Sequence, residues 1–179
     1  TGEAGSEMAR LGAKRVMVVT DPQMANSEAV RIATDSLTRA KIEFTVFDQV
    51  SIEPTDSSLK EAIKFAVDGQ FDGFLPVGGG SCIDTAKTAN LYSTYPADFL
   101  EYVNAPIGKG TPVPGDLKPL VAVPTTAGTG SETTGVAIFD FEELGAKTGI
   151  AHRSLRPDVG LVDPDNTRSL PKMVAACSG

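Results

Sequence analysis

Two stretches of this 179-residue chain combine glycines and hydroxyl side chains at a density suited to a phosphate-bearing ligand. The first is Gly78-Gly79-Gly80-Ser81-Cys82-Ile83-Asp84-Thr85-Ala86-Lys87, entered from the apolar run Phe74-Leu75-Pro76-Val77. Three successive glycines remove every Cβ where the backbone turns, so a ligand can come close to the main chain. An amphipathic helix expected from about Ser81 aims its free N–H groups and positive dipole end at that spot, which favours an anion. The same residues also fit a plainer role, with Ser81 and Asp84 as an S-x-x-D capping box and the glycines as a tight turn. The second stretch runs from Pro124 to Thr134 and holds Thr125, Thr126, Gly128, Thr129, Gly130, Ser131 and Thr134. It supplies donors with little bulk for a phosphate, a ribose or a nicotinamide amide, or else a polar turn that bonds its own backbone.

A carboxylate completes the candidate set. Asp21 ends the apolar run Arg15–Thr20 and is followed by Pro22. At the end of a strand it can accept both hydroxyls of an adenosine ribose and repel a 2′-phosphate, or it can simply start an Asp-Pro turn. No G-x-G-x-x-G occurs, and no acidic residue stands about 20 positions after Gly80 in the expected place. Asp84 reads as a first-turn charge that complements the helix dipole, and Lys87 as a solvated charge or a phosphate partner.

The elements that must position these groups alternate. Strands are expected over 15–20, around 44–50, over 71–77 and over 120–124, the first continuous and apolar as in a buried parallel sheet. Between them, helices are expected over Ser27–Ala40, with Val30, Ala33, Leu37 and Ala40 inward, and from Thr55, with Leu59, Ile63, Ala66 and Val67 inward. Gly135–Phe141 and Lys147–Ala151 read as an antiparallel pair around an acidic turn, and Val159–Val162 as another short strand. A last helix is expected from Asn166 or Thr167. The fold class is therefore α/β, a Rossmann-like doubly wound, mostly parallel sheet with an added antiparallel pair. Asp21 and the glycines both follow strands, which brings them to the same sheet edge. The Pro- and Gly-rich segment Ala105–Pro119 carries Lys109 and Lys118 and is either a lid or a solvated excursion. The two lysines are candidates for holding a carboxylate substrate.

Composition narrows the partners. The net charge of −7 and the absence of a basic cluster argue against nucleic acid, and no apolar run is long enough to cross a bilayer. Cys82 and Cys177 match no metal or redox spacing and read as reduced thiols. Cys82, at the start of an expected helix, has either a lowered pKa or the role of a small core residue. His152 is the sole histidine, too few for a zinc site of nitrogen and sulfur ligands, and reads as partly exposed between strands. The chain opens abruptly in helix-like sequence, Glu3 to Leu11.

Four motifs in order, Val19-Thr20-Asp21, Gly78-Gly79-Gly80-Ser81-x-x-Asp84-x-x-Lys87, Pro124-Thr125-Thr126-x-Gly128-Thr129-Gly130-Ser131-Glu132 and Leu161-Val162-Asp163-Pro164, resemble the iron-containing (group III) alcohol dehydrogenases. Within that family, the stretches 53–58, 89–92, 105–110 and 130–139 are most similar to a mitochondrial branch that passes hydride between a hydroxy acid and an oxo acid. The resemblance implies a dinucleotide-binding domain over 1–179, with an all-helical C-terminal domain absent from this sequence. It implies NAD(H), with Asp21 on the adenosine ribose and Gly78, Gly79, Gly80 and Ser81 at the pyrophosphate. Thr125, Thr126, Thr129 and Thr134 would line the cofactor, and Lys147 would reach the nicotinamide-side ribose. It implies a divalent metal, iron or zinc, in the full-length protein only, because the family's ligands, an aspartate and three histidines, follow Gly179. His152 and Asp163 match none of them. The expected partner is a small hydroxy acid, oxo acid or alcohol, with no nucleic acid or membrane partner and with room for a homo-oligomer. The expected compartment is the mitochondrial matrix, or the cytoplasm for a prokaryotic source, and this chain alone is expected to be inactive.

Overall fold

The computed structural model describes residues 1–168, 170 and 172–178, and within the last helix it describes the side chains of Lys172, Met173, Ala175 and Ala176. The Cys177 side chain and Gly179 lie outside the described residues.

Helix α1 (Ala4–Arg10) precedes three strand–helix units and a fourth strand: β1 (Arg15–Val19), α2 (Glu28–Arg39), β2 (Glu43–Phe47), α3 (Asp56–Gly69), β3 (Gly73–Gly78), α4 (Gly80–Thr94) and β4 (Val121–Pro124). A hairpin of β5 (Val136–Phe141) and β6 (Ala146–Ala151), the short β7 (Val159–Gly160) and α5 (Lys172–Ser178) follow. The five parallel strands lie in the order β2-β1-β3-β4-β7, and β5 pairs with β6 in a separate antiparallel sheet. The chain moves outward from β1 to β2 and then crosses back to place β3 on the other side of β1. The β1/β3 boundary is thus the topological switch point, where a crevice opens at the carboxyl ends of the strands.

Alternation along the central strands divides the core. Val16, Val18, Leu75, Val77, Val121 and Val123 face α1 and α2, while Met17, Val19, Phe74, Leu120 and Ala122 face α3 and α4. Ser27 caps α2 by accepting the Val30 N–H, and Thr55 and Ser58 form a capping box on α3. The inward face of α3 is narrower than the sequence suggests. Leu59, Ala62 and Ala66 are buried, but Val67 lies eight positions past Leu59, about 80° round the helix, and is 47% exposed. Val159–Val162 contributes only two strand residues. The turn expected to open the last helix is instead a 3-10 turn over Pro164–Thr167, capped by Asp163, and α5 starts at Lys172.

Helix α4 departs furthest from expectation. It is not amphipathic: Cys82, Ile83 and every residue from Thr85 to Tyr92 are buried, because the parallel sheet covers one side and the β5–β6 hairpin the other. Its charged residues are neither a dipole complement nor a phosphate hand. Lys87, fully buried, donates to the Val136 carbonyl at 2.7 Å, and Asp84 accepts the Ile138 N–H at 3.1 Å. These are neighbouring groups on the outer edge of β5, the edge away from β6. The Asp140 N–H continues that edge by donating to the Pro54 carbonyl, and the Glu142 N–H donates to Asp56. Helix side chains and the start of α3 thus close a strand edge that would otherwise be buried unpaired. Burial pushes the Asp84 carboxyl up and the Lys87 ammonium down, each against the pull of its partner 3.5 Å away.

The 105–119 segment is neither lid nor free excursion. Gly108, Lys109, Gly110 and Thr111 donate their N–H groups to carbonyls at 100–104, and Val113 is buried in the cluster under the hairpin. No helix among the described residues is long and apolar enough to cross a membrane.

Removing one partner of the α4 pair strands the other in the core. Lys87→Met is expected to cost about 3–5 kcal/mol of stability, and Asp84→Asn/Lys87→Met together less than Lys87→Met alone, as read from denaturant midpoints.

Candidate functional site

At the β1/β3 switch point lies a cleft of about 500 Å³ lined by Asp21, Gln23, Met24, Ser51, Ile52, Gly79, Gly80, Ser81, Cys82, Thr125, Thr126, Thr129, Asn166 and Leu170. Its floor is the start of α4. The N-cap is Gly79, which has no side chain to cap the helix, and no acidic residue occupies the first turn. The Cys82 N–H turns back to the Gly79 carbonyl at 3.1 Å, which leaves the Gly80 and Ser81 N–H groups at the cleft with the helix dipole behind them. No S-x-x-D box forms. Ser81 instead donates its hydroxyl to the Ile52 carbonyl, tying the segment after β2 to the helix start.

The three glycines do three different things. None of them has a positive φ, so none is required by turn geometry. A Cβ on Gly78 would lie 2.4 Å from the Cys82 Sγ, so Gly78 makes room for packing inside the protein. On Gly79 it would meet Thr126 at 3.4 Å, and on Gly80 Ser131 at 3.2 Å and Thr129 at 3.4 Å. The absent side chains of Gly79 and Gly80 thus let the threonine loop close over the α4 start. That loop turns through Gly128 and Gly130, at φ +108° and +67°, where glycine is favoured. Its first residue is fixed to β3 by the Thr125 N–H donating to the Gly78 carbonyl at 3.0 Å.

Asp21 uses its two oxygens differently. Oδ1 accepts the N–H groups of Gln23 and Met24 at 2.9 and 3.0 Å, the Asp-Pro turn expected from the sequence. Oδ2 faces the Cys82 Sγ at 3.8 Å on the cleft side and keeps acceptor capacity for a ligand. The turn role and the ligand role are compatible. Cys82 does not have the lowered pKa expected at a helix start: burial, with the Asp21 charge beside it, pushes the thiol up to about 12. It is a packing residue that reaches the cleft.

The structure brings Asp21, Gly79, Gly80, Ser81, Thr125, Thr126 and Thr129 into one cleft. It leaves out three expected members. Gly78 sits beneath the floor. Thr134 takes a hydrogen bond from Lys87 at 3.4 Å, and exposed Lys147 pairs with Asp140 at 3.2 Å and Glu53 at 3.8 Å. Lys109 pairs with Glu101, and Lys118 lies at the other edge of the sheet, so neither lysine faces the cleft. Sequence reasoning missed Ser51, Ile52 and Asn166. Ser51 and Ile52 follow β2 and so obey the strand-end rule that found Asp21. Asn166 reaches the cleft only because its amide bonds the Pro124 carbonyl and Thr1, which nothing local signals. His152 is half-buried and accepts the Ser154 N–H at a 3-10 turn. Among the described residues no group of three or more His, Cys, Asp or Glu side chains is placed to hold a metal ion.

The family model described as iron-containing alcohol dehydrogenase matches residues 1–164. The chain belongs to the iron-containing alcohol dehydrogenase family. It is 57% identical over 180 residues to the mitochondrial hydroxyacid-oxoacid transhydrogenase of Bos taurus, and 50% identical to a probable mitochondrial hydroxyacid-oxoacid transhydrogenase of Dictyostelium discoideum. All of this chain is covered in both, but only 39% and 35% of those relatives. Its fold matches the alcohol dehydrogenase of Oenococcus oeni (TM-score 0.88, 31% identity, 99% of this chain and 45% of that one). It also matches a sulfoacetaldehyde reductase of Bifidobacterium kashiwanohense solved with NAD+ (TM-score 0.88, 26% identity, 99% and 46%). What this member contributes from 179 residues is the doubly wound sheet and its switch-point cleft.

Gly78→Ala is expected to destabilise the fold by about 1–3 kcal/mol through overpacking against Cys82, and Cys82→Ala in the same chain to recover part of it in thermal unfolding, because the Cβ at position 82 still lies 2.9 Å from the new one. The raised pKa leaves Cys82 a neutral thiol at mildly alkaline pH. Mass mapping of alkylated peptides should find it unlabelled until the protein unfolds.

Proposed function

We propose that this chain is the cofactor-binding part of an NAD(H)-dependent oxidoreductase, and that the whole protein is a hydroxyacid-oxoacid transhydrogenase. The observation that carries the cofactor reading is the uncapped α4 start, which shares a cleft with the Asp21 oxygen that the turn leaves with spare acceptor capacity. A dinucleotide laid across a switch point puts its pyrophosphate on helix N–H groups and its adenosine ribose on a carboxylate. Gly79, Gly80 and Ser81 then serve the pyrophosphate, Asp21 the ribose, and Thr125, Thr126 and Thr129 the remaining polar edge. The likeness to a reductase solved with NAD+ supports the same occupant. Gly78 acts from beneath the cradle. Thr134 and Lys147 reach the nicotinamide side only in an arrangement completed by the remainder of the protein.

A hydroxy acid and an oxo acid as substrates, and a mitochondrial location, rest on the likeness to the bovine relative; 4-hydroxybutyrate and 2-oxoglutarate as those acids, and the matrix as the compartment, are what the family resemblance implies. NAD carries hydride between the two substrates, and this chain's own part is to bind and orient it. The metal, iron or zinc, belongs to residues outside this sequence. An NAD-dependent alcohol dehydrogenase acting on short-chain alcohols is the second reading, favoured by the likeness to the Oenococcus oeni enzyme.

Calorimetry with NAD and NADP tests the cofactor reading. NAD should bind with one site per chain and NADP more weakly. Asp21→Ala should weaken NAD about tenfold or more and narrow the gap to NADP, as expected for a lost charge-assisted hydrogen bond. An unchanged NAD affinity would remove Asp21 from the ribose. In the full-length protein, hydride exchange between the two acids without added cofactor supports the transhydrogenase, whereas obligatory release of NADH supports the dehydrogenase.

A further inference from the structure

The two buried charges of α4 reach the loop that closes the cofactor cleft. Lys87 Nζ has three partners: the Val136 carbonyl at 2.7 Å, the Thr134 hydroxyl at 3.4 Å and Asp84 Oδ1 at 3.5 Å. Two of the three lie where the threonine loop passes into β5. Asp84 meets the same stretch through the Ile138 N–H on Oδ2, and the Ser131 hydroxyl helps to hold its charge against burial. Asp84 Oδ1 is the one buried side-chain oxygen or nitrogen of the described residues that no hydrogen bond satisfies, and the Lys87 ammonium stands against it. Burial pushes the Lys87 pKa down, while the charges of Asp84 and of Glu132, inside the loop, oppose that shift.

The loop is held unevenly along its length. Its first end is fixed by backbone, the buried Thr125 donating its N–H to the Gly78 carbonyl at 3.0 Å. Its middle, 127–129, is exposed, and Gly128 and Gly130 give it two left-handed positions. The Thr133 N–H and hydroxyl both turn back to the Gly130 carbonyl at 2.9 Å, which shapes the turn but does not place it over α4. Ser131 is buried, with its Oγ 3.2 Å from where a Cβ on Gly80 would stand, so the loop meets the helix start there. The far end is placed by Lys87 and Asp84. A segment with this much backbone freedom binds more tightly when both its ends are fixed before the ligand arrives.

We propose that Lys87, with Asp84, is a positioning residue of the cofactor cleft: it holds the threonine loop, with Thr126 and Thr129, over the Gly80 and Ser81 N–H groups and so sets the affinity for NAD without touching it. This role rests on the NAD reading of that cleft. Stability alone does not call for a buried ion pair, because well-packed apolar residues in its place are often as stable. Apolar residues cannot, however, hold the Thr134 hydroxyl and the Val136 carbonyl by hydrogen bonds.

In the full-length protein, NAD and NADP are titrated by calorimetry into wild type, Asp84→Asn/Lys87→Met and Leu37→Ala. Leu37 is buried under α2 on the opposite face of the sheet, so its variant loses stability and keeps the loop's anchors. In the double variant both cofactors should weaken about fivefold or more, with the NAD-to-NADP ratio kept, because Asp21 sets it. Amide exchange over 126–134 should quicken in the free double variant. Leu37→Ala, with a lower thermal midpoint, should bind NAD as wild type does. A double variant that binds NAD like wild type, one that loses the ratio, or a Leu37→Ala that loses as much affinity would overturn the positioning role. Wild type that binds no NAD would instead overturn the cofactor reading, and the positioning role with it.

Discussion

The architecture turns on the enclosure of α4. A helix covered by a parallel sheet on one side and a hairpin on the other has no face for water, yet it must meet the backbone edge of β5. Asp84 and Lys87 resolve that conflict by accepting from the Ile138 N–H and donating to the Val136 carbonyl. Two buried charges of opposite sign cost desolvation but leave that stretch of strand edge satisfied and fix the hairpin's register against the helix. The threonine loop runs directly into β5, so the same pair also sets where that loop ends.

From that anchor the cleft follows. The α4 start is held at the switch point by β3 behind it, by Ser81 bonded to the Ile52 carbonyl, and by the threonine loop closing over Gly79 and Gly80. Because Gly79 cannot cap the helix, its first N–H groups stay available. Asp21 is oriented by two backbone N–H groups on one oxygen, and the other faces the Cys82 thiol at the cleft with acceptor capacity to spare. Each wall comes from a different strand end, so the site is a property of the sheet order.

Much of this was legible locally. The strands over 15–19, 43–47, 73–78 and 121–124 and their helices follow from apolar periodicity and caps such as Ser27 and Thr55, which act within a few residues of themselves. The strand-end rule placed Asp21, Gly79, Gly80, Ser81 and the threonines at one edge. It also gathered Thr134, which instead takes a hydrogen bond from Lys87, and only the family resemblance supplied Lys147, which pairs with Asp140 and Glu53. Other readings failed where a neighbour distant in sequence decides. Asp84 looks like a cap until β5 lies against it, Cys82 like an activated thiol until burial and Asp21 raise its pKa, and the 105–119 loop like an excursion until Val113 finds the cluster under the hairpin.

The sequence by itself determined the α/β alternation, the polarity of each helix end and the grouping of small and hydroxyl residues after strands. These are set by chain-local forces: backbone sterics, capping and the period of apolar side chains. Only the tertiary structure decided which glycine serves the ligand edge and which serves packing, which oxygen of Asp21 the turn occupies and which faces Cys82, and that Asp84 and Lys87 meet the edge of β5. Those outcomes depend on distances between residues tens of positions apart. The strand order and the enclosure of α4 set such distances, and no local preference encodes them.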